Sequence, residues 1–390
     1  MTSHDFYQSA EDHNIVKTKL VTKYFSAWCS VILPRIASKG GNMAYVDLCS
    51  GPGRFEDGTE STPLWILRTA IKKPDIAEHL VTVFNDIEPK YIEQLRQEIQ
   101  KIPDVENFKY APLLSSDSVG PDLLHRLGGL SETPTLFFID PWGYRGLSLE
   151  LIGNAIRNWG CDCIFFFNYN RVNSGLVNRL VDKHMDDLYG ATRATAIRNR
   201  LAKLTSSSAK EKVIIDELAS ALEEVGGKYV VPFRFPSDQA SRTSHYVVFV
   251  TKHPLGFRIM KDVMESLSTD RASVKQFEFV ATESPQTEFF RDFGRTYSID
   301  ALKQYLLLNC AGRTLSVTEA FELHTLRTPY TIGNVQTALL ELESEELVTV
   351  LGSSKGRTRA GRKTLARDRL VTFSSTQNSQ EAPHGTQFRD

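Results

Sequence analysis

Four short stretches end in residues that could hold a nucleotide-like ligand and act on it. The apolar run 43–48 carries Asp47 near its end and leads into Cys49, Gly51 and Gly53 of AYVDLCSGPGRF. Runs 80–84 and 110–114 lead to Asp86 and Asp117. Run 135–139 leads to Asp140, Pro141 and Trp142. Gly51 and Gly53 let backbone approach a ligand and tolerate positive φ, and Pro52 stiffens the turn between them. A third glycine is missing, because Phe55 and Glu56 occupy that region, which argues against a dinucleotide site. Asp47 suits another use, organising a loop that holds S-adenosylmethionine; the alternative is a glycine turn without a ligand. A carboxylate accepts from two adjacent hydroxyls, so Asp86 is placed for a ribose or, alternatively, for capping a helix over 89–99. Asp117 faces an adenine amino group or caps a helix over 121–127.

Methyl transfer from a sulfonium requires an in-line nucleophile and exclusion of water. An exocyclic base amine needs acceptors that draw on its protons. Asp140 and the Pro141 carbonyl supply two. Trp142 or Tyr144 supplies a stacking face, a contact of about 1–3 kcal/mol. A base within a duplex would first be flipped out. The stretch is similar to the Asp-Pro-Pro-Tyr signature of amino methyltransferases, with Trp142 in place of the second proline and Gly143 following. The alternative is a strand-to-loop turn with Trp142 as a lid on the core.

The surrounding pattern supplies the frame. Apolar residues from Val16 to Ile32 recur at helical spacing. Lys17, Lys19 and Lys23 read as the solvated face of that helix; the alternative is that Lys17 or His13 closes over a ligand at the sheet edge. Helices are expected over 62–71, 149–159 and 254–267, with Trp159 on a buried face. A helical insertion is expected at about 190–226. Strands 163–167, 229–235 and 245–251 complete the set. Alternating strands and helices imply a parallel sheet covered on both sides. With a terminal antiparallel strand, this is an α/β, Rossmann-like class I methyltransferase sheet.

Residues 268–297 read as a linker. Beyond it, helices near 299–308, 317–326 and 332–342 and strands 347–351 and 370–373 form a winged-helix-like pattern. Its wing carries Lys355, Arg357, Arg359, Arg362, Lys363, Arg367 and Arg369 against Asp368 alone. That local excess is the expected nucleic-acid contact; the alternative is a solvated hairpin tip or a protein-binding wing. The expected domains are a flexible arm over 1–13, the methyltransferase-like domain over 14–285, the winged-helix-like domain over 286–373 and a disordered tail over 374–390.

A net charge of −1 over 390 residues gives no partner by itself. Five scattered cysteines without a CxxC pair argue against a disulfide scaffold or a zinc site and for a reducing cytoplasm. No metal site and no membrane span is expected.

Taken jointly, KTKLVTKYFSAW, YVDLCSGPGRFEDG, the TPL helix start, FFIDPWGYRG and HYVVFVTKHPLGFRIMKDVM resemble the three-Cys-motif partner protein family (TcmP) of bacteria. The resemblance spans roughly residues 15–270. It implies a class I methyltransferase fold and a neighbouring radical-SAM-like protein, whose cysteines give the family its name. Two functions follow. One is an S-adenosylmethionine-dependent methyltransferase acting on DNA or RNA. The other is a catalytically weak methyltransferase-fold partner or regulator of that neighbour.

Overall fold

The computed structural model describes residues 3–55, 57–120, 123, 132–141, 143, 146–236, 243–269, 275, 277–278, 297–352, 358–359 and 362–374; for 3–12, 358–359 and 362–363 it describes backbone alone. The chain divides into two compact units, Met1–Phe293 and Gly294–Asp390.

The first unit opens with α1 (Ser3–Ile36), whose backbone is already helical inside the residues expected as an arm. Then come β1 (Met43–Asp47), α2 (Thr62–Ile71), α3 (Pro74–His79), β2 (Leu80–Asn85), α4 (Pro89–Gln100), β3 (Leu113–Ser115) and β4 (Thr135–Ile139). They are followed by α5 (Leu149–Ala155), β5 (Asp162–Phe167), α6 (Tyr169–Leu176), α7 (Asp182–Tyr189), α8 (Ala191–Leu201) and α9 (Ser207–Glu224). The unit closes with β6 (Tyr229–Pro236), β7 (Thr243–Thr251) and α10 (Pro254–Leu267). Among the described residues, seven strands form one sheet in the order β3-β2-β1-β4-β5-β7-β6. Strands β1 to β5 are parallel, and β7 runs antiparallel to both β5 and β6. That order with a reversed β7 is the class I methyltransferase arrangement expected from the sequence.

Every residue of β1 and β4 is buried, as a strand covered on both faces requires. On one face, α1 runs against the strand direction. Its Lys17 reaches Asp140 just past the end of β4, whereas its Tyr24 donates to Asp162 at the start of β5. Trp28 then donates to the Gly160 carbonyl. On the other face, α5 to α9 pack Leu151, Met185, Leu188, Ile197 and Ile214 against Phe137, Phe165 and Val248. The far edge is held by Glu211 of α9, which accepts from Thr243, Tyr246 and Arg234.

Further expectations change. Strand β3 covers Leu113–Ser115 rather than 110–114. The helix expected over 149–159 stops at Ala155, and Trp159 is 54% exposed rather than turned inward. Phe277 and Glu278, inside the expected linker, dock on the sheet: Arg234 donates its backbone N–H to Phe277 and its guanidinium to Glu278. Helix α3 was not anticipated; Pro74 at its first turn opens a six-residue element too short for a periodic signal.

The second unit contains α11 (Ile299–Cys310), β8 (Thr314–Ser316), α12 (Val317–His324), α13 (Ile332–Ser344), β9 (Val348–Val350), β10 (Thr358–Arg359), β11 (Arg362–Lys363) and β12 (Leu370–Phe373). Reciprocal capping boxes, Ser316 with Glu319 and Thr331 with Asn334, fix the starts of α12 and α13. Leu306, Phe321, Val335 and Leu339 make its core. Strands β8, β12 and β9 form an antiparallel sheet in that order. This is a winged helix with three more strands, β8, β10 and β11, than the sequence pattern showed.

Candidate functional site

Parallel strands bring their carboxyl ends to one edge, and side chains on one face recur every second residue. Tyr45 and Asp47 of β1 therefore share the α1 face, and Asp140 continues that face beyond β4. Asp47 is buried. Its Oδ1 accepts from the Cys49 amide at 3.1 Å, and its Oδ2 has no hydrogen-bond partner. Burial raises its pKa well above the ordinary carboxylate value; nearby Asp140 and Asp86 add to this, and the Cys49 amide opposes it. Burial, together with the same carboxylates, also raises the Cys49 thiol. That thiol stays neutral and is a poor nucleophile.

Asp86 bridges the loop and the next helix. Its Oδ2 accepts from the Gly51 amide at 2.9 Å and its Oδ1 from the Glu88 amide at 3.0 Å. The two glycines differ in role. Gly51 has φ 65° and nothing within 4 Å of where a Cβ would sit, so its open side faces free space. Gly53 has φ 85°, and a Cβ there would meet Leu95 Cδ1 at 2.9 Å. Its lack of a side chain serves close packing on α4.

Asn85 organises the edge although sequence reasoning passed it over. Its side-chain amide donates to the Leu48 carbonyl at 3.1 Å and the Asp117 carbonyl at 2.9 Å. Its Oδ1 accepts from the Ser115 hydroxyl at 2.8 Å and the Asp117 amide at 2.9 Å. One buried amide thus joins the ends of β1, β2 and β3 and places Asp117 at the site's side. The helix over 121–127, the alternative expected partner of Asp117, lies outside the described residues except for Leu123.

Lys17 Nζ donates to Asp140 Oδ2 at 2.5 Å, with the two side chains 12% and 22% exposed. Lys17 also lies 5.4 Å from the Phe166 ring centroid. The solvated-face expectation therefore fails for Lys17. His13 packs edge-on against Phe235 and His245, which stack on each other, so this end of α1 covers the carboxyl edge. Burial, then the charges of His13 and Lys17, hold His245 well below its usual pKa. The buried Pro141 accepts from the Gly143 amide at 2.8 Å through its carbonyl, so one of the two acceptor directions proposed for a target amine is already engaged. Gly143, at φ 105°, leaves room for Arg171: a Cβ there would lie 3.0 Å from Arg171 Nη1. Trp142 lies outside the described residues.

The structure thus gathers Asp47, Cys49, Gly51, Asp86, Asp117 and Asp140 at one edge and adds Lys17 and Asn85. Among the described residues, no three His, Cys, Asp or Glu side chains are grouped to hold a metal ion. Likewise, no helix there is long and apolar enough to cross a membrane.

In the second unit, Lys355 and Arg357 lie outside the described residues, as do the side chains of Arg359, Arg362 and Lys363. Strands β10 and β11 pair antiparallel, Arg359 opposite Arg362, in the loop between β9 and β12. Away from the core, α13 shows Gln336, Thr337 and Glu341 and is followed by Glu345. It carries no lysine or arginine, and both glutamates pair with Lys303 of α11.

Residues 276–355 match the family model of the GMT-like winged helix-turn-helix domain. Comparison with curated proteins finds no match. Among solved structures, a Legionella pneumophila protein, LPL1258 of family DUF519, is similar at 16% identity over 64% of this chain and 91% of its own, with TM-score 0.36. The methyltransferase domain of bacterial CtHen1 is similar at 11% identity over 60% of this chain and all of its own, with TM-score 0.30. The CurJ carbon methyltransferase is similar at 11% identity over 55% of this chain and 50% of its own, with TM-score 0.30. Likenesses at this level carry no functional argument, and the fold assignment rests on strand order and direction. The first unit has a methyltransferase fold, and the second carries a winged helix-turn-helix domain.

Proposed function

We propose that this protein is an S-adenosylmethionine-dependent methyltransferase acting on DNA or RNA at an exocyclic base amine. The observation that carries the reading is the gathering of Asp86, Asp140 and Lys17 around Asp47, whose Oδ2 is buried and unpartnered. A site with three carboxylates and one ammonium repels a pyrophosphate and favours a cationic ligand. S-adenosylmethionine, when bound, supplies a methyl group on a positively charged sulfur. Asp47 and the open side of Gly51 would hold it, Asp86 would accept from its ribose hydroxyls and Asp117 from its base.

On the target side, Asp140 accepts an amine proton and the Pro141 carbonyl offers its second lone pair. Trp142 supplies a stacking face. Lys17 fixes the Asp140 carboxylate until the amine competes for it. The basic wing, Lys355, Arg357, Arg359, Arg362 and Lys363, meets phosphates. We also place the chain in the TcmP family, with a three-Cys-motif, radical-SAM-like partner, in a bacterial cytoplasm; all five cysteines are free thiols, which suits a reducing setting.

One observation favours a second reading. The helix that a winged helix usually lays in a groove carries glutamates and no cations here, which suits a partner or regulator that touches nucleic acid through the wing alone, or not at all.

Calorimetric titration with S-adenosylmethionine decides the first step: absence of binding at millimolar cofactor sinks the enzyme reading. Tritium transfer to DNA and RNA identifies the acceptor. Equal counts from Asp140→Ala would remove Asp140 from the mechanism. Neutralising the five wing cations should flatten the salt dependence of nucleic-acid binding, and an unchanged slope would exclude the wing.

A further inference from the structure

The opposite edge of the same sheet holds a cavity of about 410 Å³, between the second half of α1, the start of β5 and the start of α10. It shares no residue with the candidate methyl-transfer site. At this volume it falls within the range of small-molecule sites.

Its floor is polar and tightly built. Asp162 is buried, and its Oδ2 accepts from the Tyr24 hydroxyl at 2.6 Å. The Thr251 side chain is hydrogen-bonded to the same carboxylate and in turn accepts the His253 amide at 3.1 Å. Gly256 admits this cluster: a Cβ there would lie 2.9 Å from the Tyr24 oxygen and 3.1 Å from Thr251 Oγ1. A carboxylate has about four lone-pair directions, so Asp162 retains acceptor capacity beyond these two hydroxyls.

The walls include Trp28, Trp159, Ile32 and Leu255. Trp28 is held by its bond to the Gly160 carbonyl, whereas Trp159 is largely exposed. The remaining charge in the lining is cationic: Arg35 and Lys252, with His253 at the α10 N-terminus. Flat aromatic walls, a buried acceptor at the floor and two cations at the rim match three parts of one ligand class.

We propose that this cavity binds a nucleotide whose base carries an exocyclic amine. The base lies against the indoles and donates to Asp162, and the phosphate meets Arg35 and Lys252. A free mononucleotide and a nucleotide within a single strand both present this chemistry. The proposal does not depend on methyl transfer.

The test is calorimetry on the full chain carrying Asp47→Asn, so that adenine binding at the other edge is weakened. AMP and CMP should bind. UMP, which lacks the amine, and adenosine, which lacks the phosphate, should each be weaker by about tenfold. A short oligoadenylate distinguishes the sources: binding tighter than AMP and weakened by Lys252→Glu assigns the site to a strand, weaker binding to the free nucleotide. Lys252→Glu, a rim change that leaves the core intact, should cut AMP affinity by about tenfold or more. Leu255→Trp should abolish it by filling the cavity, with the melting curve as a control for folding. No AMP or oligoadenylate binding at millimolar concentration, or binding indifferent to Lys252→Glu, overturns the proposal.

Discussion

Lys17 and Asp140 are 123 residues apart in the chain, yet their Nζ and Oδ2 atoms meet at 2.5 Å. This ion pair joins the first helix to the turn after the fourth strand, and both of its charges act on the buried carboxylate of Asp47.

Breaking that pair from one side leaves a partly buried charge uncompensated. Lys17→Met should destabilise the protein by about 1–3 kcal/mol, less than for a fully dry pair. Adding Asp140→Asn should cost less than the sum of the single changes. Urea denaturation of the four proteins gives the coupling; strict additivity would show that the contact contributes nothing.

Asp47→Asn should separate stability from binding. A buried carboxylate with an unpartnered oxygen weighs against folding at neutral pH, so the amide should leave stability equal or raise it by about 1 kcal/mol. Cofactor affinity should fall by about tenfold or more. A large loss of stability would mean that the unpartnered oxygen has a structural role.

The two loop glycines should respond differently to alanine. Gly51→Ala meets only the backbone penalty of positive φ, about 1 kcal/mol. Gly53→Ala adds the clash with Leu95 and should cost about 2–4 kcal/mol. Thermal melts of both variants check the order, and the reverse order would refute the packing role of Gly53.

Asn85→Ala removes four hydrogen bonds and strands buried partners at the ends of three strands. A loss of about 3–4 kcal/mol is expected. Hydrogen exchange should show the added opening concentrated at Leu48, Ser50 and Asp117. Uniform loss across the sheet would argue against a local clamp.

Burial raises the pKa of Asp162 from 3.8 to about 6, with the Thr251 and Tyr24 hydrogen bonds opposing the rise. The folded state therefore holds this proton more tightly than the unfolded chain. That stabilising contribution is full below the unfolded value and is lost as pH rises through about 6. The swing is about 3 kcal/mol, at 1.36 kcal/mol per pKa unit. Denaturation of wild type and Asp162→Asn between acid and neutral pH should show it as a difference; parallel curves would contradict it.

The central strands were legible because they are apolar runs ending in a polar turn; the short β3, β8, β10 and β11 offer no such run, so the sequence pattern places β3 too early and misses the other three. Strand β4 and helix α10 fall where the sequence places them. That these acids share one edge was legible because a parallel sheet must deliver its carboxyl ends there. Lys17 was legible only as an alternative, since helical periodicity sees only spacing along one element and its partner Asp140 comes from another. Asn85 was masked by its neighbour Asp86, whose charge drew the functional assignment. The acidic outer face of α13 was in plain view, but the basic wing dominated the charge count of that unit.

The glycine loop is fixed before any ligand arrives. Ser50 donates its amide to Asn85, Gly51 donates to Asp86, and Ser61 closes the far end on the Gly53 carbonyl. A rigid receptor loses little conformational freedom on capture. Association should therefore show a modest entropic penalty and a rate set by diffusion and charge rather than by loop ordering. Selectivity in such a cradle comes from favouring shapes that fit the loop as its hydrogen bonds hold it.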